Sequence, residues 1–308
     1  MPQSRARGLA TLAGMQPVIV VGSINMDLVF ADLDHIPAPG ETVRSRSFSV
    51  LPGGKGANQA SASARLGVPT QLVARIGNDD LGNRALTDLE AGGVDTSFVE
   101  RVTGPTGVAG VLIDDESENV VIVAPGANAR LAAATAERPS EHDEAVVLAC
   151  LEIPIETVVA WARVAKERGW TFVLNPAPAR ELPGELLPLI DVLTPNQTEL
   201  EQIGRSTDEL LDAGVGAIVV TLGSQGAAIH RKDAPTIRQS AFAVDPIDTT
   251  GAGDAFNGAL AASLASGHRL EAAVARGCAA GALATREIGA RASQPTLREL
   301  ERTLGETW

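Results

Sequence analysis

A short glycine-rich run followed at once by an acid is the part of this sequence best equipped for chemistry. Gly251, Ala252 and Gly253 precede Asp254, and an alanine-rich stretch typical of a helix follows. Backbone N–H groups at the start of a helix attract anions, and the helix dipole adds to that attraction. A carboxylate there repels phosphate, but it can take a proton from a hydroxyl that attacks the phosphate. The run therefore predicts phosphoryl transfer, with Gly251 to Asp254 as the anion hole and Asp254 as the general base.

A second glycine-rich segment, GGKGANQA at residues 53–60, predicts a binding site for a hydroxylated ligand. We expect a turn over residues 53–58 and an alanine-rich helix over residues 59–66. Glycines let the backbone approach a ligand closely, and Lys55 and Asn58 can donate hydrogen bonds to hydroxyls. The turn is not a Walker A loop, and it lacks the third glycine and the distant acid of a dinucleotide fingerprint. The alternative is a helix start without a ligand. A lysine among three glycines disfavours it, because the glycines cost backbone entropy.

Three further groups of polar residues follow predicted strands, and each has a structural interpretation beside a functional one. Asn25 and Asp27 lie on one side of the chain at a period of two, where they suit a polyol or cap a turn. Glu152 ends a strand, either as a ligand-binding group or as a solvated loop acid. Asn196 and Glu199 fit the N-cap and N3 positions of a helix, and they also suit phosphates and the water shell of Mg²⁺. For this last pair both interpretations can hold together.

Strands and helices alternate from residue 145 onward, which predicts a mostly parallel sheet with helices on both faces. The apolar run Val18 to Val21 fits a central strand of that sheet, buried on both faces. The TLGSQG turn at residues 221–226 ends another strand and is a candidate for the nucleotide side. Strands around 28–50 and 108–124 interrupt the alternation, and we interpret them as a small β-lid. We expect a disordered extension over residues 1–16 and one α/β domain over residues 17–308.

The composition excludes several classes of protein. The formal net charge of −13 over 308 residues argues against a nucleic-acid surface, which needs a basic face. The four histidines are scattered without metal-ligand spacing, and Cys150 and Cys278 stand in apolar surroundings that predict buried, reduced thiols. No apolar run approaches the roughly 18 residues of a membrane span. We therefore expect a cytoplasmic protein that binds neither nucleic acid nor membranes.

The motifs together resemble those of the ribokinase-like carbohydrate kinases, the PfkB family. Both the GGKGANQA turn and the DTTGAGD run at residues 248–254 match that family, in the right order. Shorter segments agree, among them GSINMD at 22–27, GAN at 126–128 and NPAPAR at 175–180. The resemblance implies a three-layer α/β/α sandwich with a mostly parallel central sheet and a small β-sheet lid.

The resemblance also implies an activity and its ligands. It implies ATP-dependent phosphorylation of D-ribose at the 5-hydroxyl, with Mg²⁺, with K⁺ as an activator, and in a homodimer formed through the lid. The implied sugar contacts are Asn25, Met26, Asp27, Gly54, Lys55, Gly56, Ala57, Asn58, Glu152 and Asp254. The implied ATP contacts are Asn196, Glu199, Thr221, Leu222, Gly223, Ser224, Gln225, Gly226, Gly253 and Asp254. The implied K⁺ ligands are Asp248, Thr250, Arg286, Gly289 and Ser293.

Other functions remain open beside this one. A related kinase could act on deoxyribose, another pentose, a hexose or a nucleoside, although aromatic side chains at 3% are too few to favour a platform for a second base. A binding protein that has lost catalysis would lack the base or the anion hole, and both are present here. An NAD-dependent oxidoreductase would need the dinucleotide fingerprint that is missing.

Overall fold

The large sheet of this protein has nine strands, and a second sheet has four. They are seen in a computed structural model that describes residues 15–116, 118–137 and 142–308. The strands, in chain order, are β1 (Val18–Val21), β2 (Asn25–Leu33), β3 (Ser45–Gly53), β4 (Thr70–Gly77), β5 (Val99–Val102), β6 (Gly107–Asp114), β7 (Asn119–Ala124), β8 (Val146–Cys150), β9 (Thr171–Asn175), β10 (Val192–Leu193), β11 (Ala217–Thr221), β12 (Ala227–His230) and β13 (Ile237–Gln239).

The large sheet has the strand order β13-β12-β11-β10-β9-β8-β1-β4-β5. All neighbours from β5 to β11 are parallel, and β12 and β13 add an antiparallel edge. The mostly parallel sheet predicted from the alternation of elements is confirmed. Because parallel strands all point the same way, their carboxyl ends gather at one edge, where the connecting loops can form a site.

Helices cover both faces of the large sheet, and the pattern of β1 shows why. Val18 and Val20 belong to one core cluster and Ile19 and Val21 to the other, and all four side chains are fully buried. The first cluster packs against five helices and the second against three, which gives the expected three layers. The helices are α1 (Lys55–Arg65), α2 (Asp80–Ala91), α3 (Ile155–Arg168), α4 (Gln197–Ile203), α5 (Thr207–Asp212), α6 (Ala252–Ala265), α7 (Leu270–Ala284) and α8 (Leu297–Leu304). Of these, α3, α4 and α5 lie on the second face.

The small sheet has the order β3-β2-β6-β7. In it β2 and β3 form one antiparallel pair, β6 and β7 form another, and β2 runs parallel to β6 between them. These are the strands that interrupt the alternation in the sequence, so the predicted small sheet is confirmed. Its edge strand β7 is exposed along its whole length, and Val121, Ile122 and Val123 are each more than half exposed. We call this sheet the lid.

Helix α1 begins four residues earlier than the sequence predicts. The prediction treated residues 53–58 as a turn and began the helix at Gln59, but the helix begins at Lys55 with Gly54 as its N-cap. Gly54 has φ 88°, and a Cβ there would lie 2.5 Å from the backbone nitrogen of Asn25, so only glycine fits. Lys55 and Asn58 therefore stand on the first turn of a rigid helix.

Several short elements escaped prediction, namely β5, β13, α5 and α8. The predicted N-terminal extension covers residues 1–16, and residues 1–14 of it lie outside the described residues. Within the three described ranges, none of the helices combines the length and the apolar character needed to cross a bilayer.

Candidate active site

The predicted site residues come from loops at the carboxyl ends of the parallel strands. Asn25 follows β1, Glu152 follows β8 and Thr221 ends β11, while Asp254 lies in the first turn of α6. Helix α6 packs between α1 and α7, where small side chains allow close approach: a Cβ on Gly258 would lie 2.5 Å from the Cβ of Ala62. This packing brings the two glycine-rich turns of the sequence together.

Two side-chain amides hold the Asp254 carboxylate. Asn58 Nδ2 donates to Oδ2 at 2.9 Å, and Gln59 Nε2 donates to Oδ1 at 3.0 Å. Asp254 is only 7% exposed, so its carboxylate is fixed rather than solvated. Each carboxylate oxygen retains further acceptor capacity, which leaves room for a hydroxyl proton. Asp254 therefore has the geometry of a positioned base.

The turn before Asp254 presents free backbone N–H groups. Gly251 is the N-cap of α6 with φ 78°, and a Cβ there would lie 2.7 Å from Ala290. The Ala252 N–H donates to Thr249 O at 3.2 Å, so it already has a partner. The N–H groups of Gly253 and Asp254 lie in the first helical turn, where no carbonyl of the helix itself can accept them. They are the donors of this turn that can meet an anion.

Asn25 and Asp27 lie on the same side of β2, as their spacing predicts. Asn128 Nδ2 donates to Asn25 Oδ1 at 2.7 Å, and Asn128 also binds both backbone groups of Ile24. Asp27 faces Gly53, where a Cβ would overlap its carboxylate at 2.3 Å. Burial raises the pKa of Asp27 to about 6, and the negative charge of Glu152 adds to that shift.

Lys55 lies among acids. Its backbone N–H donates to Glu152 Oε2 at 3.0 Å, and the Ser23 hydroxyl donates to the same oxygen. The pKa of the Lys55 ammonium is raised, chiefly by the charge of Asp254, with Glu152 and Glu199 adding to it. Lys55 therefore stays protonated beside Asp254.

Three residues of the predicted sugar set are packed against the protein itself. Met26 is 2% exposed and packs in the first core cluster, because alternate residues of a strand face opposite sides. Ala57 is fully buried in the same cluster. A Cβ on Gly56 would lie 2.5 Å from the backbone nitrogen of Ser23, so Gly56 serves close packing. The side chains of Met26 and Ala57 therefore face the core, and the contacts of these three positions with a sugar stay predictions.

A cavity of about 520 Å³ opens beside the α6 turn. Five residues of the predicted ATP set line it: Thr221, Gly223, Ser224, Gly226 and Gly253. Leu222 instead packs against the second core cluster, and Gln225 is exposed outside the lining. The remaining wall is mostly apolar and suits a flat aromatic ring. It is formed by Ala241, Phe242, Ala243, Val244, Pro246, Thr249, Ala252, Phe256, Cys278, Gly281, Ala282 and Thr285.

Asn196 and Glu199 form the capping box of α4. Asn196 Oδ1 accepts from the Glu199 N–H at 2.7 Å, and Glu199 Oε2 accepts from the Asn196 N–H at 2.8 Å. Asn196 also forms a bridge with Thr221, which places it at the rim of the cavity. Burial raises the pKa of Glu199, and the negative charge of Asp254 adds to that shift. The hydrogen bond from Asn196 and the positive charge of Lys55 oppose it. The structural interpretation of this pair holds, and its position leaves the functional one open.

The residues predicted to hold K⁺ converge behind the α6 turn. Asp248 Oδ1 accepts from the Thr250 N–H and Oδ2 from the Gly289 N–H, both at 2.9 Å. The Ser293 hydroxyl donates to Gly289 O at 2.7 Å, and Arg286 follows Thr285, whose carbonyl accepts from the Asp248 N–H. Burial acts to raise the pKa of Asp248, but hydrogen bonds from Thr250 and Gly289 outweigh it and lower that pKa. An ionised carboxylate among carbonyl and hydroxyl oxygens is a donor set that fits a hard cation.

Three residues of the site escaped prediction. Gln59 lies in the GGKGANQA turn and Asn128 in the GAN segment, so the sequence pointed to their neighbourhood but not to their contacts. Arg291 is 5% exposed and donates to Asn58, Asp88 and the Gly53 carbonyl. It lies between Gly289 and Ser293 of the predicted K⁺ loop, 233 residues from Asn58. The sequence therefore marks the loop for another ligand and does not indicate that Arg291 reaches Asn58.

Known proteins share both the sequence and the fold. A family model described as "pfkB family carbohydrate kinase" matches residues 15–297. The ribokinase of Bacillus subtilis is 38% identical over 294 residues, which cover 94% of this chain and all of that one. The ribokinase structure from Thermotoga maritima superposes with a TM-score of 0.85 at 35% identity, covering 95% of this chain and 100% of that one. Arabidopsis thaliana ribokinase complexed with ribose and ATP gives 0.85 at 31% identity, covering 94% and 99%.

This chain shares its three-layer sandwich and its small second sheet with the ribokinase structures. Like the fold, the acid that follows a glycine turn beside a cavity is typical of a sugar kinase. The family match covers most of the chain, and the relatives match it almost from end to end. The chain belongs to the pfkB family of carbohydrate kinases.

Proposed function

We propose that this chain is an ATP-dependent ribokinase, which transfers the γ-phosphoryl group of ATP to the 5-hydroxyl of D-ribose. The observation that carries the proposal is the Asp254 carboxylate, fixed by Asn58 and Gln59 beside the free N–H groups of the α6 turn. Asp254 takes the hydroxyl proton as the oxygen attacks the γ-phosphorus in line. The N–H groups of Gly253 and Asp254 meet the charge that develops on the phosphoryl oxygens.

The sugar lies between the lid and α1 in this proposal. Asp27 and Asn25 accept and donate hydrogen bonds to its ring hydroxyls, while Lys55 and Asn58 donate to others. Glu152 acts partly by fixing the first turn of α1 through the Lys55 backbone. The Gly53–Gly54 backbone packs directly against Asp27 and Asn25, because neither glycine position tolerates a side chain, and this packing helps to hold the two sugar-binding residues in place. The relatives named ribokinase support ribose as the substrate.

The nucleotide occupies the cavity beside α6. Its apolar wall takes the adenine ring, and the Thr221–Gly226 turn takes the ribose and phosphate end. Asn196 lies at the rim of the cavity, and Glu199, which follows it in the capping box and interacts with the charge of Lys55, would meet the water shell of an Mg²⁺ ion bound with ATP. Because Ala252 and Gly253 line this cavity, a nucleotide bound there would extend its phosphates toward Asp254.

We assign the K⁺ role to Asp248, Thr250, Gly289 and Ser293, with the Arg286 carbonyl completing the set. The support is that the loop before α6 and the loop after α7 meet at Asp248, and that the pKa of Asp248 is lowered. Bound K⁺ supplies fixed positive charge behind the anion hole. The chain's own part is to hold the α6 turn in register through the Thr250 and Gly289 backbone.

The lid is the proposed dimer surface. Its edge strand exposes Val121, Ile122 and Val123, and Phe48 is 58% exposed on the opposite edge strand. An apolar surface of this kind marks an interaction site rather than a solvated sheet. We propose that two copies pair through their lids and that residues 17–308 act as one domain, which works in the cytoplasm.

The test is ADP release measured against ribose, deoxyribose, hexoses and nucleosides, each with K⁺ and with Na⁺. The proposal expects the highest kcat/KM with ribose and MgATP. Preference for deoxyribose or a nucleoside would keep the kinase and refute the substrate. ADP release that no acceptor increases would refute the proposed function.

A further inference from the structure

The loop after α7 carries a buried arginine, Arg291, whose side chain reaches the proposed sugar site. Arg291 lies between the proposed K⁺ ligands Gly289 and Ser293, yet its guanidinium points away from them toward α1. We propose that Arg291 is a positioning residue for the sugar site, which orients the Asn58 amide toward the base and supplies the positive charge that the acids of the site share. This inference rests on the proposed function and adds a residue to it.

The contacts of Arg291 use all three guanidinium nitrogens. Nε donates to Asn58 Oδ1 at 2.9 Å, Nη1 to Asp88 Oδ2 at 2.7 Å, and Nη2 to Gly53 O at 2.6 Å. The three acceptors lie on α1, α2 and the end of β3. A lysine has the charge but not the planar fork, so it cannot reach all three acceptors together.

The chemistry of the partners fixes which way the Asn58 amide points. Arginine only donates and a carboxylate only accepts, so the amide oxygen must face Arg291 and the amide nitrogen must face Asp254. A flipped amide would set donor against donor on one side and acceptor against acceptor on the other. Gln294 Nε2 also donates to the Asn58 carbonyl at 2.8 Å, so the same loop holds both the side chain and the backbone of Asn58.

Charge gives Arg291 its second role. The negative charges of Glu152 and Asp254 act on Asp27, and the positive charge of Arg291 opposes them. Lys55 is a second cation close to Asp254 and Glu152. Burial lowers the pKa of Arg291, and the charges of Asp88, Asp27 and Asp254 oppose that shift. Arg291 in turn lowers the pKa of Asp27, against the burial and the acids that raise it. Removing the cation therefore makes Asp27 harder to ionise.

Asp88 offers a matched control on the other side of the guanidinium. Its side chain is 47% exposed, so water can solvate it when the ion pair is lost. An Asp88→Ala variant keeps Arg291 on Asn58 and Gly53. If Arg291 served only to tie α2 to its loop, Asp88→Ala and Arg291→Met would be equally damaging.

The experiment compares Arg291→Met, Arg291→Lys and Asp88→Ala with the wild-type enzyme by ribose calorimetry, kinetics and thermal denaturation. Arg291→Met is expected to weaken ribose binding by about tenfold or more and to lower kcat, because the buried Asn58 amide loses its charged partner. The KM for ATP should stay within about twofold of the wild type. Arg291→Lys keeps the wild-type pH midpoint of ribose binding but not the kcat, whereas Arg291→Met moves that midpoint upward. Asp88→Ala stays within about threefold of the wild type in ribose affinity, as expected for an exposed ion pair.

A double-mutant cycle with Asn58→Ala guards against a folding defect in one variant. If Arg291 acts through Asn58, the loss caused by Arg291→Met shrinks in the Asn58→Ala background. Additive losses, equal losses for Arg291→Met and Asp88→Ala, or wild-type ribose affinity in folded Arg291→Met would each overturn the inference. A wild-type protein that does not phosphorylate ribose would instead refute the proposed function.

Discussion

We expect ribose binding to depend on pH through the carboxyl group of Asp27. In the folded protein, burial and the charge of Glu152 raise its pKa from 3.8 to about 6, against the opposing charge of Arg291. The ionised carboxylate accepts hydroxyl hydrogen bonds more strongly than the neutral acid, and neither of its oxygens carries a proton, so we expect ribose to bind best to the ionised form. With a pKa of about 6, roughly nine-tenths of the molecules are ionised at pH 7 and about one-tenth at pH 5. The apparent Kd for ribose is therefore expected to rise about tenfold between pH 7 and pH 5.

Calorimetric titration of the nucleotide-free protein with ribose, from pH 4.8 to 8, measures this effect. Binding at pH 5.5 should also release protons, which appears as a dependence of the measured enthalpy on the buffer. Asp27→Asn is the control, because it keeps the shape and removes the titration. A wild-type Kd that stays constant across this range would refute the assignment of Asp27 to the sugar.

The same shift has a defined sign for stability. A carboxyl whose folded pKa is raised costs stability wherever it is ionised, so the cost is present above about pH 6 and disappears as the pH falls toward 4. Asp27→Asn should therefore raise Tm at pH 7.5 and leave it unchanged near pH 4. An Asp27→Asn variant that melts lower than the wild type at pH 7.5 would contradict this explanation of the shift.

Two further predictions concern the cation loop and the lid. Asp248→Asn should raise the K⁺ concentration for half-maximal stimulation by roughly tenfold or more while ribose still binds, because it removes the one charged ligand; unchanged stimulation by K⁺ would remove Asp248 from that role. Ile122→Glu should convert a dimer to a monomer in sedimentation, because it places charge on the exposed strand of the lid. The matched control is Ile237→Glu, at the exposed edge of the large sheet, and equal sedimentation of all three proteins would refute the lid interface.

The sequence indicates much of the fold because period and punctuation are local. The fully apolar Val18–Val21 run and the alternation after residue 145 predict a parallel sheet with two covered faces, and the structure confirms it. Short elements such as β13 and α5 were missed, since three to six residues carry too little periodicity to be recognised. The start of α1 was misplaced because a glycine-rich stretch looks like a turn. Here Gly54 at positive φ caps a helix instead.

The sequence likewise indicates some residues of the candidate site and not others. Asp254 and Asn58 stand in contiguous motifs, so their residue types and spacing reveal their chemistry directly. Partners that orient the site residues come from distant parts of the chain: Asn128, which binds Asn25, is 103 residues from it, and Arg291 is 233 residues from Asn58. A contact of that kind depends on how α6 and the loop after α7 pack, which no local pattern records. Met26 shows the converse, because membership in a motif did not reveal that its side chain turns into the core.

The central claim is that Asp254 is the base for phosphoryl transfer to a bound sugar, and the Asp254→Asn variant tests it most directly. The substitution keeps the size of the side chain and the hydrogen bond to one of its two amide partners, so ribose should bind within about tenfold of the wild type. Turnover of ribose with MgATP should fall about 10²–10⁴-fold, the usual contribution of a positioned base. A folded Asp254→Asn variant that binds ribose and turns over within tenfold of the wild-type rate would contradict the account.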